Sequence, residues 1–404
     1  MKKVLIFVPT FSNLSETFIL RELDALDKNQ RIEVAVLTLK QGKAEIPQNL
    51  RNKIFYIPLN FGVGISALPF IFKNLFFISK IGLDFFKTSN DSFLRNIKNF
   101  IKSIFFAYRL SFFNFDQLHI HFLSDISTIL GLASLIVKKP FSISGHARDI
   151  FVDGSAINFK VQKAKFITLC NTKAFLKCLE LSGGKGRKNV VLGFHGIDPR
   201  EYEFKMRELN FTKQIEILTD ARFTPKKGLI PLSQAIISLI NDYDFKINFT
   251  IIGLAIGEEQ ENLMKEVKEI FKNAKVYDSL HIPGNGSGIQ QAEVMKYYQQ
   301  ADVFIYAGIN TSGGDADGVP NGLLQAAFSG LPVLTTNAGS IGDLYNNENS
   351  YIIEQNSSES IIEKFNEMVL DKQLNQKVQK LLHQVSENFE VSKNIKYLED
   401  LLIK

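Results

Sequence analysis

Val4-Leu5-Ile6-Phe7-Val8 is an apolar run with no polar residue alternating through it. A strand with one wet face alternates. A strand buried on both faces does not, and burial on both faces belongs to parallel sheets covered by helices. After Pro9 and a polar loop over 10–13, the sequence predicts a helix from about Ser15-Glu16 and a second strand over 32–39. Strand, helix and strand in that order predict a parallel α/β sheet. Further strand-like runs fall at 118–122, 141–144, 166–170 and 190–192. Gly196-Ile197-Asp198-Pro199 and the charged stretch to 213 then read as a linker. A second series follows at 215–218, 249–252, 275–277, 303–306 and 333–336, with helical segments between.

The chain has 404 residues, and single cores stop growing near ~250–300. Two doubly wound, Rossmann-like α/β domains are therefore expected, over 1–198 and 199–385, with 386–404 as a final segment. Ligands of such folds bind at the C-terminal edges of the strands, here in a cleft between the domains. The net charge of +5 comes with no Lys/Arg-rich run, so nucleic acid is not an expected partner. Cys170 and Cys178 form no CxxC pair and read as reduced, buried thiols of a cytoplasmic protein. The run 4–8 stops at Pro9 with no small-residue cleavage site, so it reads as a strand and not as a leader. No stretch reaches the ~18 apolar residues of a transmembrane helix.

Residues 61–115 stand apart in composition. They hold 14 of the 35 phenylalanines, and seven basic residues against Asp84 and Asp91. Over 91–110, helical spacing puts Phe93, Ile97, Phe100, Ile104 and Tyr108 on one face and Arg95, Lys98, Lys102 and Arg109 on the other. An apolar face with a basic stripe predicts peripheral contact with an anionic membrane.

Chemistry concentrates in 309–343. A Gly/Asp loop over 313–318 leads to Pro320 and an apolar helix, a geometry whose backbone N–H groups suit an anion such as a pyrophosphate. Asp317 precedes that helix and Gln325 lies within it. A second loop, Ala221-Arg222-Phe223-Thr224-Pro225-Lys226-Lys227-Gly228, directly follows a strand, and its cations suit a diphosphate leaving group. A third segment, Ser144-Gly145-His146-Ala147-Arg148-Asp149, also follows a strand. Asp315-Ala316-Asp317 mimics a metal-binding DxD. His119 and His121 are expected to point to opposite faces of their strand, leaving one of the pair in the core.

These segments together resemble the retaining, two-domain GT-B glycosyltransferases of family 4, in particular members that build exopolysaccharide and lipopolysaccharide. The family frame is present as Asp317-Gly318-Val319-Pro320, Leu323-Leu324-Gln325-Ala326-Ala327 and Ser329-Gly330-Leu331-Pro332-Val333. Asp317 and Gln325 stand where the family has two glutamates, and Ala221 where it has a glycine before the phosphate-binding Arg222 and Lys227. The resemblance also touches Ser15-Glu16-Thr17-Phe18-Ile19, His119-Ile120-His121-Phe122 and His195-Gly196-Ile197-Asp198.

It implies transfer of a sugar from a nucleotide-sugar donor to a glycan or lipid-linked acceptor, with no cofactor and no metal. Arg222 and Lys227 would hold the diphosphate, Gly318, Val319 and Pro320 the donor loop, and Gln325 the ribose. Asp317 and His146 would touch the sugar, and Ser15 and Glu16 would lie on the acceptor side. The helix around 391–402 would return to the first domain. The two lost glutamates keep a second reading open, a catalytically degenerate protein that binds glycan or a partner. Another GT-B activity, such as an epimerase or a phosphorylase, is a third.

Overall fold

A computed structural model of the protein describes residues 1–13, 16–57, 65–151, 154–207, 213–312 and 317–404. The chain forms two compact units, Met1–Gly196 with Val391–Lys404, and Ile197–Glu390.

The first unit is built on seven strands: β1 (Lys2–Phe11), β2 (Ile32–Gln41), β3 (Ile54–Tyr56), β4 (Gln117–His121), β5 (Phe141–Gly145), β6 (Ile167–Leu169) and β7 (Val190–Leu192). All pair in parallel, in the order β3-β2-β1-β4-β5-β6-β7. The order reverses between β1 and β4, which is where open α/β sheets place their sites. β1 does not stop at Pro9. Thr10 and Phe11 pair with Lys40 and Gln41, and the Phe11 N–H donates to Thr38 Oγ1 at 3.2 Å. Helix α1 (Thr17–Asn29) covers one face of the sheet. Its Ile19, Leu23 and Leu26 pack with Val4, Ile6, Val34 and Val36, and with Ile395, Leu398 and Leu402 of the final helix, Val391–Ile403. Each such side chain contributes about 1.5–3 kcal/mol on burial. Arg31 pairs with Glu399 at 3.3 Å and Asp400 at 2.8 Å and ties the final helix down.

The opposite face is covered by α2 (Leu68–Thr88), α3 (Phe93–Leu110) and α4 (Asp125–Ile136). Here the sequence reading of α3 is corrected. The buried side is Asn96, Asn99, Ser103, Phe106 and Leu110, while Phe93 and Ile101 face outward. Hydrogen bonds decide this orientation. Asp125 at the start of α4 accepts from Asn99 Nδ2 at 2.7 Å and from Arg95 Nε at 2.9 Å, so burying those amides leaves no polar group unmet. Arg95 is thus an ion-pair partner of Asp125, with both side chains partly exposed. The outward apolar surface lies instead on α2, at Phe72, Leu75, Phe76 and Leu83, with exposed Lys73, Lys80 and Lys87 beside them. No described helix is long and apolar enough to cross a membrane.

The second unit holds β8 (Gln214–Asp220), β9 (Lys246–Ile252), β10 (Leu280–His281), β11 (Val303–Tyr306), β12 (Val333–Thr335) and β13 (Tyr351–Ile352). They are parallel, in the order β10-β9-β8-β11-β12-β13. The strand expected at 275–277 is a turn. Lys275 takes a left-handed φ of +60° after the helix Glu258–Asn273, and the strand begins at Leu280.

Candidate functional site

In the second unit β8 delivers its last residue, Asp220, to the C-terminal edge of the sheet, and the loop with Arg222 and Lys227 follows. Gly228 ends that loop at φ +61°, and a Cβ there would stand 2.0 Å from the Ala307 carbonyl oxygen. That close approach brings Lys227 inward. Its Nζ donates to Asp317 Oδ2 and to the Tyr306 hydroxyl, each at 2.9 Å, and the Tyr306 hydroxyl donates to the same carboxylate. Lys226 Nζ stands 3.5 Å from Asp317 Oδ1. Burial alone would raise the Asp317 pKa, but the Lys227 and Lys226 charges and the Tyr306 bond hold it down at about 2. The Asp317 carbonyl accepts from Ser340 N at 3.2 Å and lies against Gly339.

Arg222 is exposed at the mouth of the loop. Gly318 and Val319 lead to Pro320, which caps the helix Asn321–Phe328 in an extended conformation and does not occupy its first turn. Gln325 is buried on that helix, and among the described residues its Oε1 has no hydrogen-bond partner. A buried amide oxygen left open costs about 1–3 kcal/mol, so this atom is a ready acceptor for a ligand hydroxyl.

Sequence reasoning missed three neighbours. Asp220 is half-buried, and its desolvation pushes the carboxyl up to about 6 against the Tyr298 bond and the Lys227 charge. Tyr298 donates to it at 3.0 Å, and Tyr306 completes the Lys227–Asp317 group. The signal for Asp220 was its place as the last strand residue before the Arg222 loop. The tyrosines carried no signal. Asp315 and the rest of 313–316 lie outside the described residues.

In the first unit a second cluster gathers at the C-terminal ends of β4 to β7. His119 and His121 are both fully buried, with rings 5.4 Å apart. Residues two apart on a strand share a face, so the expected split of this pair is corrected. Phe122 follows at φ +75°, a conformation that bulky residues rarely adopt, and its ring lies 4.8 Å from that of His146. The Asp149 carboxylate accepts from the backbone N–H of His146 and of Leu123, both at 2.9 Å, and fixes the His146 loop to the end of β4. His195 Nε2 lies 3.0 Å from His146 Nδ1, and its Nδ1 lies 3.4 Å from Glu22 Oε2 on α1. Phe18 packs on both rings, at 5.1 Å and 4.4 Å. His195 and Glu22 were not among the expected site residues. Glu16 occupies the N-cap position of α1 without a side-chain capping bond, and Ser15 lies outside the described residues.

Two groups place three metal-capable atoms close together, Glu22 with His119 and His121, and His146 with Cys170 and His195. The first does not offer three open ligand atoms. Both His119 nitrogens are taken by Ser142 Oγ at 2.8 Å and Ser144 Oγ at 3.0 Å. In the second, His195 Nε2 and His146 Nδ1 share a hydrogen bond, while His146 Nε2 and His195 Nδ1 make none among the described residues.

Residues 201–388 match the family described as Glycosyl transferases group 1. The chain is 28% identical over 149 residues to the amylovoran biosynthesis glycosyltransferase AmsK of Erwinia amylovora, covering 37% of this chain and 34% of that protein. It is 23% identical over 182 residues to the putative colanic acid biosynthesis glycosyltransferase WcaL of Escherichia coli, covering 45% and 42%. The matched region thus spans between a third and a half of the length of these relatives. Among solved structures, Anabaena HepE in complex with UDP and glucose matches at TM-score 0.69 and 14% identity, covering 100% of both chains. A glycosyltransferase from Rickettsia africae matches at TM-score 0.69 and 15% identity, covering 99% of this chain and 97% of that one. The fold is therefore GT-B, two Rossmann-like parallel-sheet domains, and the match to Glycosyl transferases group 1 falls within the second unit.

Proposed function

We propose that the protein is a retaining glycosyltransferase. It would move a sugar from a nucleoside-diphosphate sugar to a glycan or lipid-linked acceptor in the synthesis of a cell-surface polysaccharide. The carrying observation is the convergence of Lys227, Asp317 and Tyr306 at the end of the loop that carries exposed Arg222, with an open buried Gln325 oxygen on the helix that follows Asp317. The named activities of the relatives and the UDP bound by HepE support the same reading.

In this reading Arg222 meets the diphosphate first. Lys227 joins by exchanging its bond to Asp317, which frees that carboxylate for the sugar hydroxyls. Gln325 accepts from a ribose hydroxyl, and Gly318, Val319 and Pro320 frame the donor loop. The bond from the anomeric carbon to the diphosphate oxygen breaks as the acceptor oxygen bonds that carbon from the same face. The departing phosphate takes the acceptor's proton. Positive charge at the leaving group is the main catalytic term, and side chains supply it. His146 is assigned to the sugar, and Ser15 and Glu16 to the acceptor side. No metal is assigned a role.

The test is a melting panel with UDP, GDP and ADP in EDTA, followed by assay of nucleoside diphosphate release with and without acceptor. A ligand at ~100 times its dissociation constant adds about 2.7 kcal/mol, so one of the three should raise the melting temperature by several degrees. Release should need acceptor and survive EDTA. No shift with any nucleotide at millimolar concentration overturns the reading. A shift without turnover favours the degenerate, binding-only alternative suggested by Gln325 and Asp317.

Membrane contact belongs to the same proposal but rests on α2. Phe72, Leu75, Phe76 and Leu83 face outward with Lys73, Lys80 and Lys87 beside them, a pairing that suits an anionic interface on the cytoplasmic side. The protein should co-sediment with phosphatidylglycerol vesicles and much less with phosphatidylcholine vesicles. Phe72→Ser with Phe76→Ser should reduce binding at least tenfold. Equal binding to both vesicle types, or retention by the double variant, rules this surface out.

A further inference from the structure

We propose that Glu22 and His195 are positioning residues that fix the tautomer of His146, so that His146 presents a protonated Nε2 to the substrate. This rests on the assignment of His146 to the sugar. The chain of contacts is linear. Glu22 Oε2 faces His195 Nδ1 at 3.4 Å, and His195 Nε2 faces His146 Nδ1 at 3.0 Å. Two ring nitrogens at that distance share one proton, so one ring donates and the other accepts. A carboxylate on the far side of His195 stabilises its doubly protonated form, which makes Nε2–H of His195 the donor and Nδ1 of His146 the acceptor. His146 then carries its own proton on Nε2. That atom is buried and, among the described residues, has no hydrogen-bond partner. It is a donor held ready for an oxygen that the protein does not supply.

The surroundings favour this division of protons. Glu22 on α1 faces His195 from one side. His121 on β4, His146 after β5 and Cys170 after β6 face it from the others, and His119 faces His121 and His146. Burial opposes charge on His195, but the nearby Cys170 and the Glu22 carboxylate outweigh that and raise it to about 9. Burial and the neighbouring His195 charge hold His146 well below its usual value. The packing keeps the geometry. Phe18 and the strained Phe122 lie against the rings, and Asp149 pins the His146 loop. If His195 loses its proton, the shared bond reverses and His146 Nε2 becomes an acceptor. The donor form is therefore present below about pH 9 and lost as pH rises through that value.

The experiment is ¹⁵N-histidine NMR of the full chain, wild type and Glu22→Gln, alongside the pH dependence of kcat/KM. In wild type at pH 7, His146 should show the Nε2–H tautomer, and His195 should be doubly protonated and titrate near pH 9. Glu22→Gln keeps the shape of the side chain but removes the charge. The His195 titration and the alkaline limb of the rate should then move down together by at least one pH unit, and kcat at pH 8 should fall at least tenfold. Affinity for nucleoside diphosphate should stay within twofold. A His146 found as the Nδ1–H tautomer, or an alkaline limb that does not move while the variant melts normally, overturns the proposal. A protein with the expected spectra but no transferase activity overturns the functional reading and leaves the positioning chain standing.

Discussion

Lys227→Met is expected to lower affinity for the nucleoside diphosphate by at least tenfold and to destabilise the second unit by about 3–5 kcal/mol near neutral pH, the cost of leaving a buried charge without its partner. The Lys227 ammonium is buried and reaches Asp317 and Tyr306, each at 2.9 Å. Methionine fills similar space but leaves the Asp317 carboxylate with only Lys226 at 3.5 Å and the Tyr306 hydroxyl. The pH dependence separates this mechanism from simple loss of packing. In wild type the Asp317 pKa is about 2, below its ordinary 3.8. A depressed carboxyl contributes stability above its unfolded pKa and loses it as pH falls through the folded one. The window is therefore pH 4 down to 2, and the contribution above it is about 2 kcal/mol. In the variant the carboxylate is buried with less compensation, so protonation relieves it. The gap between wild type and Lys227→Met should be widest near pH 7 and nearly gone at pH 2. Urea melts at both pH values measure this. A gap independent of pH would show that Lys227 acts by volume alone, and unchanged diphosphate affinity in calorimetry would remove it from the donor site.

The parallel α/β plan was readable in the chain because its strands are buried on both faces. The run 4–8 has nothing polar to confuse it. Short strands at the sheet margin were not. β10 has two residues and follows a left-handed Lys275, so neither length nor alternation marks it. Periodicity misjudged α3 for a different reason. It counts apolar side chains, whereas Asn96 and Asn99 are buried because Asp91, Ser89 and Asp125 satisfy them. No such partner is visible within the helix's own sequence.

The site divides in the same way. Asp317, Lys227, Arg222 and Gln325 sit in loops and helix starts whose spacing is local, and the sequence could nominate them. That Lys227 grips Asp317 ninety positions away is a consequence of β8 pairing β11, and no local pattern encodes it. The four-histidine cluster shows the same limit. His119 and His121 were visible as a pair, and His146 and His195 as separate loops, but their meeting depends on β4, β5, β6 and β7 lying in sequence order across the sheet.

Gly339→Ala should reduce kcat/KM at least a hundredfold without altering any atom assigned to chemistry. Gly339 has φ +57°, and a Cβ built on it would stand 1.7 Å from the Asp317 carbonyl oxygen. Backbone meets backbone there, so no side chain can turn aside. The Asp317 segment must move, and it carries the carboxylate proposed to touch the sugar. A displacement of about 1 Å at a catalytic group can cost ~10²-fold in rate. Gly183→Ala provides the control. Gly183 has φ +60°, but nothing lies within 4 Å of the position its methyl group would take, so it isolates the conformational cost of alanine in left-handed backbone, roughly 1–2 kcal/mol. Gly339→Ala should be more destabilising than that by the work of moving Asp317, and Gly183→Ala should keep full turnover. Diphosphate binding should fall far less than turnover in Gly339→Ala, because Arg222 and the helix start at Asn321 are untouched. Equal melting temperatures for the two variants, together with normal turnover in Gly339→Ala, would mean that the Asp317 backbone is not held where the mechanism needs it.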